Sequence, residues 1–121
     1  MNKILVVDDE GAIASMIADM VGLLGCESRI LNDGKDVLSV AKEWKPDLIT
    51  LDIMMPPPDG IEVLSQLKND PETKTIPVVI ISVVAKNREF SSQIALADKV
   101  VAKPMDLKKL GQTIRKLIGE L

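Results

Sequence analysis

Apolar runs and helical patterns alternate along this chain. Lys3 to Val7 reads as a strand. Ala12, Met16, Met20, Leu23 and Leu24 then fall at helical spacing, and Gly25 ends that helix. Glu27 to Leu31 is a second strand. Asn32 or Asp33 is placed to cap a helix carrying Val37, Leu38, Ala41 and Trp44, and Lys45-Pro46 stops it. A third strand covers residues 47–51. Gly60 opens a helix with Ile61, Leu64 and Leu67, ended by Asp70-Pro71. A fourth strand covers residues 78–81, and a weaker helical pattern residues 88–96. A short fifth strand spans residues 99–101. Asp106 then caps a last helix with Leu107, Leu110, Ile114 and Leu117.

Five strands alternating with five helices predict a parallel sheet with helices on both faces. Strands buried on both sides read as continuous apolar runs, as Ile4-Leu5-Val6-Val7 and Val78-Val79-Ile80-Ile81 do. The expected fold class is α/β, a doubly wound, flavodoxin-like sheet in the order 2-1-3-4-5. Its switch point lies between the first and third strands. No repeat, linker or low-complexity segment interrupts the pattern, so residues 1–121 are expected to form one domain.

Four strands end in polar residues. The first ends in Asp8-Asp9, the third in Asp52, the fourth in Ser82, and the fifth in Lys103-Pro104. Ligands of open α/β sheets bind outside the carboxyl ends of the strands, and Asp8, Asp9 and Asp52 flank the predicted crevice. Each fragment alone has an ordinary reading. Acids at a helix start favour its dipole, and a lone aspartate can cap a loop. A lone serine is commonly structural, and a lone lysine is commonly a solvated cation. Their joint placement at one rim describes a site.

Charge and composition narrow its chemistry. The chain is 46% hydrophobic and 27% charged, which fits neither a disordered nor a membrane-spanning protein. No apolar stretch approaches the roughly 20 residues that cross a bilayer, and no signal-peptide pattern precedes the first strand. No membrane insertion and a cytoplasmic location are expected. The net charge of −3 argues against a nucleic-acid surface. With one cysteine and no histidine, an intrachain disulfide, a Cys/His zinc site and histidine-based catalysis are excluded. Cys26 reads as a small core residue, and Trp44 as packing at the opposite end of the sheet. Any reaction must use carboxylates, hydroxyls, lysine and a hard metal.

Converging carboxylates repel one another unless a cation joins them or their pKa values rise. Mg²⁺, or Mn²⁺, suits them, because it takes oxygen ligands from a few carboxylates together with phosphate. Lys103 would offer a charge-assisted hydrogen bond to a phosphoryl oxygen, and Ser82 a hydroxyl. Asp52 is central and could be the nucleophile that forms an aspartyl-phosphate.

These residues in this order resemble the receiver domains of two-component response regulators over the whole chain. The matching segments are Val6-Val7-Asp8-Asp9-Glu10, residues 46–56 with Asp59-Gly60, residues 76–82, and Lys103-Pro104. The resemblance implies a role for each. Asp52 would accept a phosphoryl group from a phosphohistidine on a histidine kinase or histidine phosphotransfer protein. Asp9 and Asp52 would bind the metal directly and Asp8 through water, with the Met54 backbone carbonyl as a further ligand. Ser82 would carry the signal. Lys103 would touch the phosphoryl group, and its bond to Pro104 would be cis. An unknown downstream protein would read the result, and dimerisation on phosphorylation stays open. The chain would be a switch rather than a dedicated enzyme.

Three positions depart from the family's pattern. Val100 stands where an aromatic residue often rotates, and the chain has no tyrosine. Pro56-Pro57-Pro58 stiffens the loop after Asp52. Residues 88–96 carry Ser91-Ser92 and few core anchors, and Phe90 reads equally as core or partner contact. A receiver-like module that does not switch is therefore a rival reading. A phosphatase working through an aspartyl-phosphate is another. It would need an acid two residues after the nucleophile, where Met54 stands.

Overall fold

The computed structural model describes residues 2–82 and 97–119. The strands are β1 (Lys3–Val7), β2 (Glu27–Leu31), β3 (Leu48–Leu51), β4 (Val78–Ser82) and β5 (Lys99–Ala102). The helices among the described residues are α1 (Gly11–Leu23), α2 (Val37–Trp44), α3 (Gly60–Asn69) and α4 (Leu107–Leu117). The helix expected over residues 88–96 lies outside the described residues, as do Phe90 and Ser91-Ser92. All pairings are parallel, and the sheet order is β2-β1-β3-β4-β5, as the alternating pattern predicts.

The strict twofold alternation of a strand divides the core in two. Leu5, Val7, Ile49, Leu51, Val78 and Ile80 face one way and pack with Val37, Val63, Leu64 and Leu67 of α2 and α3. Ile4, Val6, Leu48, Val79 and Ile81 face the other way and pack with Ile17, Val21, Leu110 and Ile114 of α1 and α4. Cys26 is buried in the second layer. Trp44 packs against the first, with the Lys3 ammonium 5.6 Å and the Arg29 guanidinium 5.5 Å from its ring centre.

Helix ends show where side chains overrule the pattern. Asp106 accepts from the Lys108 and Lys109 amides and caps α4 as the sequence suggests, and α3 gains a cap not read from the sequence, Asp59 accepting from the Glu62 amide. The cap expected for α2 at Asn32 or Asp33 does not form. The preceding residue is Asp36, whose side chain makes no cap bond, and Asp33 instead accepts from the Lys35 amide. Both polar groups are drawn into the loop after β2, two residues or more ahead of the helix. At the other end Lys45 takes the left-handed conformation, with φ of 55°, and its amide closes on Ala41. β3 starts at Leu48, and Asp47 before it is tied to Lys3 twice, its amide donating to the Lys3 carbonyl and its carboxylate accepting from the Lys3 amide, each at 2.7 Å.

Gly60 lets the start of α3 lie directly against the residues that follow β3. A Cβ there would run into the backbone of Asp52 and Ile53. The Gly60 and Met55 amides both close on the Ile53 carbonyl at 3.0 Å, folding the loop back over the strand end. The triple proline lies in this loop. Its far end rests on Gly34, where a Cβ would strike the Pro58 carbonyl and Val63. The Pro57-Pro58 and Lys103-Pro104 bonds are both cis.

Candidate functional site: an acidic cluster at the switch point

Asp8 and Asp52 sit one residue beyond β1 and β3, on either side of the switch point. The ladder holds both: the Asp8 amide donates to the Leu31 carbonyl at 3.1 Å, and the Asp52 amide to the Val7 carbonyl at 3.0 Å. Both residues are only 2% exposed. Asp8 is tied further. Its Oδ1 accepts from the Glu10 amide at 2.9 Å, and its carbonyl accepts from the Asn32 side chain at 2.9 Å. Asp52 Oδ1 accepts from the Met54 amide at 3.3 Å.

Lys103 follows β5 and brings its ammonium to the free oxygens. Its Nζ lies 3.0 Å from Asp8 Oδ2, 3.1 Å from Glu10 Oε1 and 3.5 Å from Asp52 Oδ2. Asp8, Glu10 and Asp52 each offer an oxygen within 4.8 Å of the others. Such an all-oxygen group, with one positive charge already among it, is suited to a divalent cation.

The electrostatics follow from burial. Removing Asp52 from water pushes its pKa up from the usual 3.8 to about 6, and the neighbouring Asp8 and then Asp9 push the same way. Lys103 and the Met54 amide oppose that shift without cancelling it. Burial pulls the Lys103 pKa down, but its bonds to Asp8 and Glu10 and the charge of Asp52 outweigh that, and it stands above its usual 10.5. The lysine is therefore a permanent cation here.

Of the residues singled out in the sequence, the structure brings Asp8, Asp52 and Lys103 together. Asp9 is exposed and lies outside the group of three close carboxylates, although its charge still reaches Asp52. Ser82 is the last residue of β4 and pairs in register with Ala102, one residue before Lys103; its side chain lies outside the described residues. Met54 is at the rim with its side chain 54% exposed. Val100 pairs with Ile80 and packs partly buried on the first core layer.

Glu10 and Asn32 were not legible as site residues. A signal for Glu10 did exist. It is the residue before α1, where glutamate caps poorly, and its side chain makes no cap bond. A glutamate in such a place is free to turn to a neighbouring cation.

The model of the response regulator receiver domain matches residues 4–115. The chain belongs to that family. Among curated relatives, the alkaline phosphatase synthesis transcriptional regulatory protein PhoP of Bacillus subtilis is 34% identical over 119 residues, covering 96% of this chain and 48% of its own length. The polar-differentiation response regulator DivK of Brucella anthropi is 29% identical, covering 98% of this chain and 97% of its own. The chain thus spans about half of the first and nearly all of the second. The solved receiver domain of the Francisella response regulator 1452 superposes with a TM-score of 0.88 at 28% identity, covering 98% of each chain.

The cluster of Asp8, Glu10 and Asp52 matches the phosphoacceptor site of receiver domains, which act in two-component phosphorelay signalling. Membership of the family implies interaction with a histidine kinase or phosphotransfer protein. No helix among the described residues is long and apolar enough to cross a membrane.

Proposed function

We propose that Asp52 is the phosphoacceptor and that this chain works as a switch rather than as a turnover catalyst. The observation that carries the reading is the Lys103 ammonium held against two buried aspartates at the sheet's switch point. Asp52 Oδ1 is engaged by the Met54 amide, which leaves Oδ2, on the Lys103 side, as the attacking oxygen. Its lone pair forms the O–P bond while the P–N bond of a phosphohistidine breaks and that electron pair returns to the imidazole. Lys103 moves from a carboxylate to a phosphoryl oxygen as negative charge gathers there. The pKa of about 6 leaves Asp52 ionised at neutral pH and more basic than an ordinary carboxylate, which favours nucleophilic attack.

With Glu10 held on Lys103, Asp8 and Asp52 would hold Mg²⁺, or Mn²⁺, with the Met54 carbonyl and Asp9 as further candidates. Bound there, it would neutralise the carboxylates and the phosphoryl oxygens. Ser82, which ends β4, would follow the phosphoryl group. The surface that a downstream protein reads would then change around β4 and β5. The donor is expected in the cytoplasm.

Transfer from a phosphorylated histidine phosphotransfer protein tests the reading. The chain should take one phosphoryl group, labile to hydroxylamine as an acyl phosphate is, and Asp52→Asn should take none. A hydroxylamine-stable product, or transfer to the variant, contradicts it.

A further inference from the structure

The Lys103 ammonium is not centred on the acceptor. It donates a hydrogen bond to Glu10 at 3.1 Å and pairs with Asp8 at 3.0 Å, and stands farther from Asp52, at 3.5 Å. The two anchors differ in kind. Asp8 is buried and tied to Asn32 and to the Glu10 amide. The Glu10 side chain is 62% exposed, while that of Lys103 is 8% exposed, so Glu10 grips the ammonium from the open side. It precedes α1 without capping it, so the helix makes no demand on its carboxylate. Its carboxylate goes instead to the site's cation.

We propose that Glu10 is a positioning residue for phosphoryl uptake, holding Lys103 toward Asp8 so that Asp52 is the farthest of its three carboxylates. A phosphoryl group on Asp52 Oδ2 needs the ammonium, and to reach it Lys103 must release an anchor. Releasing Asp8 would leave a buried carboxylate uncompensated, whereas Glu10 can be released into water. The Glu10 contact is therefore the one that opens, and its strength slows each uptake. An exposed ion pair of this kind corresponds to about a two- to fivefold effect. The inference rests on the reading of Asp52 as acceptor and Lys103 as its phosphate contact.

Uptake from acetyl phosphate, followed by intact mass at saturating Mg²⁺, tests it with Glu10→Gln and Glu10→Asp. The glutamine variant removes the charge. The aspartate variant keeps the charge but is one methylene too short to hold Nζ. Both should raise the saturating rate about two- to fivefold and leave the acetyl phosphate concentration at half-rate unchanged. A rise in Glu10→Gln alone would show only relief of repulsion on the anionic donor, and overturns the tether. Unchanged or slower uptake in both variants overturns it, and weaker Mg²⁺ binding by calorimetry would then mark Glu10 as a metal ligand. An unlabelled wild type would instead defeat the acceptor reading itself, so the two failures are distinct.

Discussion

Lys103→Met is expected to destabilise the metal-free protein by about 3–5 kcal/mol at neutral pH, the usual cost of stripping one partner from a buried ionic group. The lysine stem is nearly buried, and methionine keeps most of its packing, so the loss should be electrostatic. Asp8 and Asp52 would then face each other, 2% exposed, without a cation. Two features separate this from a packing defect. The loss should shrink as pH falls and Asp52 takes up a proton, and Mg²⁺ should restore much of it by binding the folded state alone. Urea unfolding at pH 7.5 and pH 5, with EDTA or with Mg²⁺, measures both. A loss indifferent to pH and metal would mean that the Lys103 charge does not hold the cluster together.

Asp52→Asn should act in the opposite direction. The folded pKa of Asp52 is about 6, against 3.8 for the ordinary group. Below the unfolded value both states hold the proton, and its ionisation costs folding nothing. Between the two values only the unfolded chain has released it, so stability falls as pH rises. Above about 6 the penalty is complete, at about 3 kcal/mol for a shift of this size. Asparagine never ionises and keeps an oxygen for the Met54 amide. The variant should therefore gain up to about 3 kcal/mol near pH 7.5 in EDTA, and almost nothing at pH 4. Saturating Mg²⁺ should narrow the gap, because it stabilises the wild type more. Denaturant midpoints across that pH range decide it. An equal gain at pH 4 would place the effect outside Asp52 ionisation. A gain in stability from removing a residue that the function requires is expected at a site where like charges are held together.

The sheet could be read from the chain because central parallel strands must be apolar on both faces. Ile4 to Val7 and Val78 to Ile81 state this directly, and the switch point follows from the order of elements. The rim was legible for a related reason: a carboxylate directly after such a run can only be at a strand end. The sequence could not settle which of two adjacent acids turns inward. Asp8 and Asp9 are consecutive, and successive side chains on an extended backbone diverge, so the choice depends on how far β1 continues its ladder. The bond from the Asp8 amide to Leu31 shows that it continues to Asp8, which is buried while Asp9 is exposed. Glu10 and Asn32 were hidden because their partners are distant in sequence. Lys103 is 93 residues from Glu10, and Asp8 is 24 from Asn32. The α2 cap failed for the same reason: Asn32 serves Asp8, a long-range demand that no local rule contains.

The triple proline and Gly34 show a departure from pattern becoming a contact. A stiff loop can rest on its neighbour only if the neighbour gives way, and the missing side chain at Gly34 leaves room for Pro58. The loop that carries Met54 beside the acceptor is thereby braced from outside the site.

The most direct measurement is the intact mass of the wild type and Asp52→Asn after incubation with acetyl phosphate, each with Mg²⁺ and with EDTA. One phosphoryl adduct on the wild type, dependent on Mg²⁺ and absent from the variant, is the predicted result. An equal adduct on Asp52→Asn, or one indifferent to Mg²⁺, would contradict Asp52 as the acceptor at a metal-assisted site.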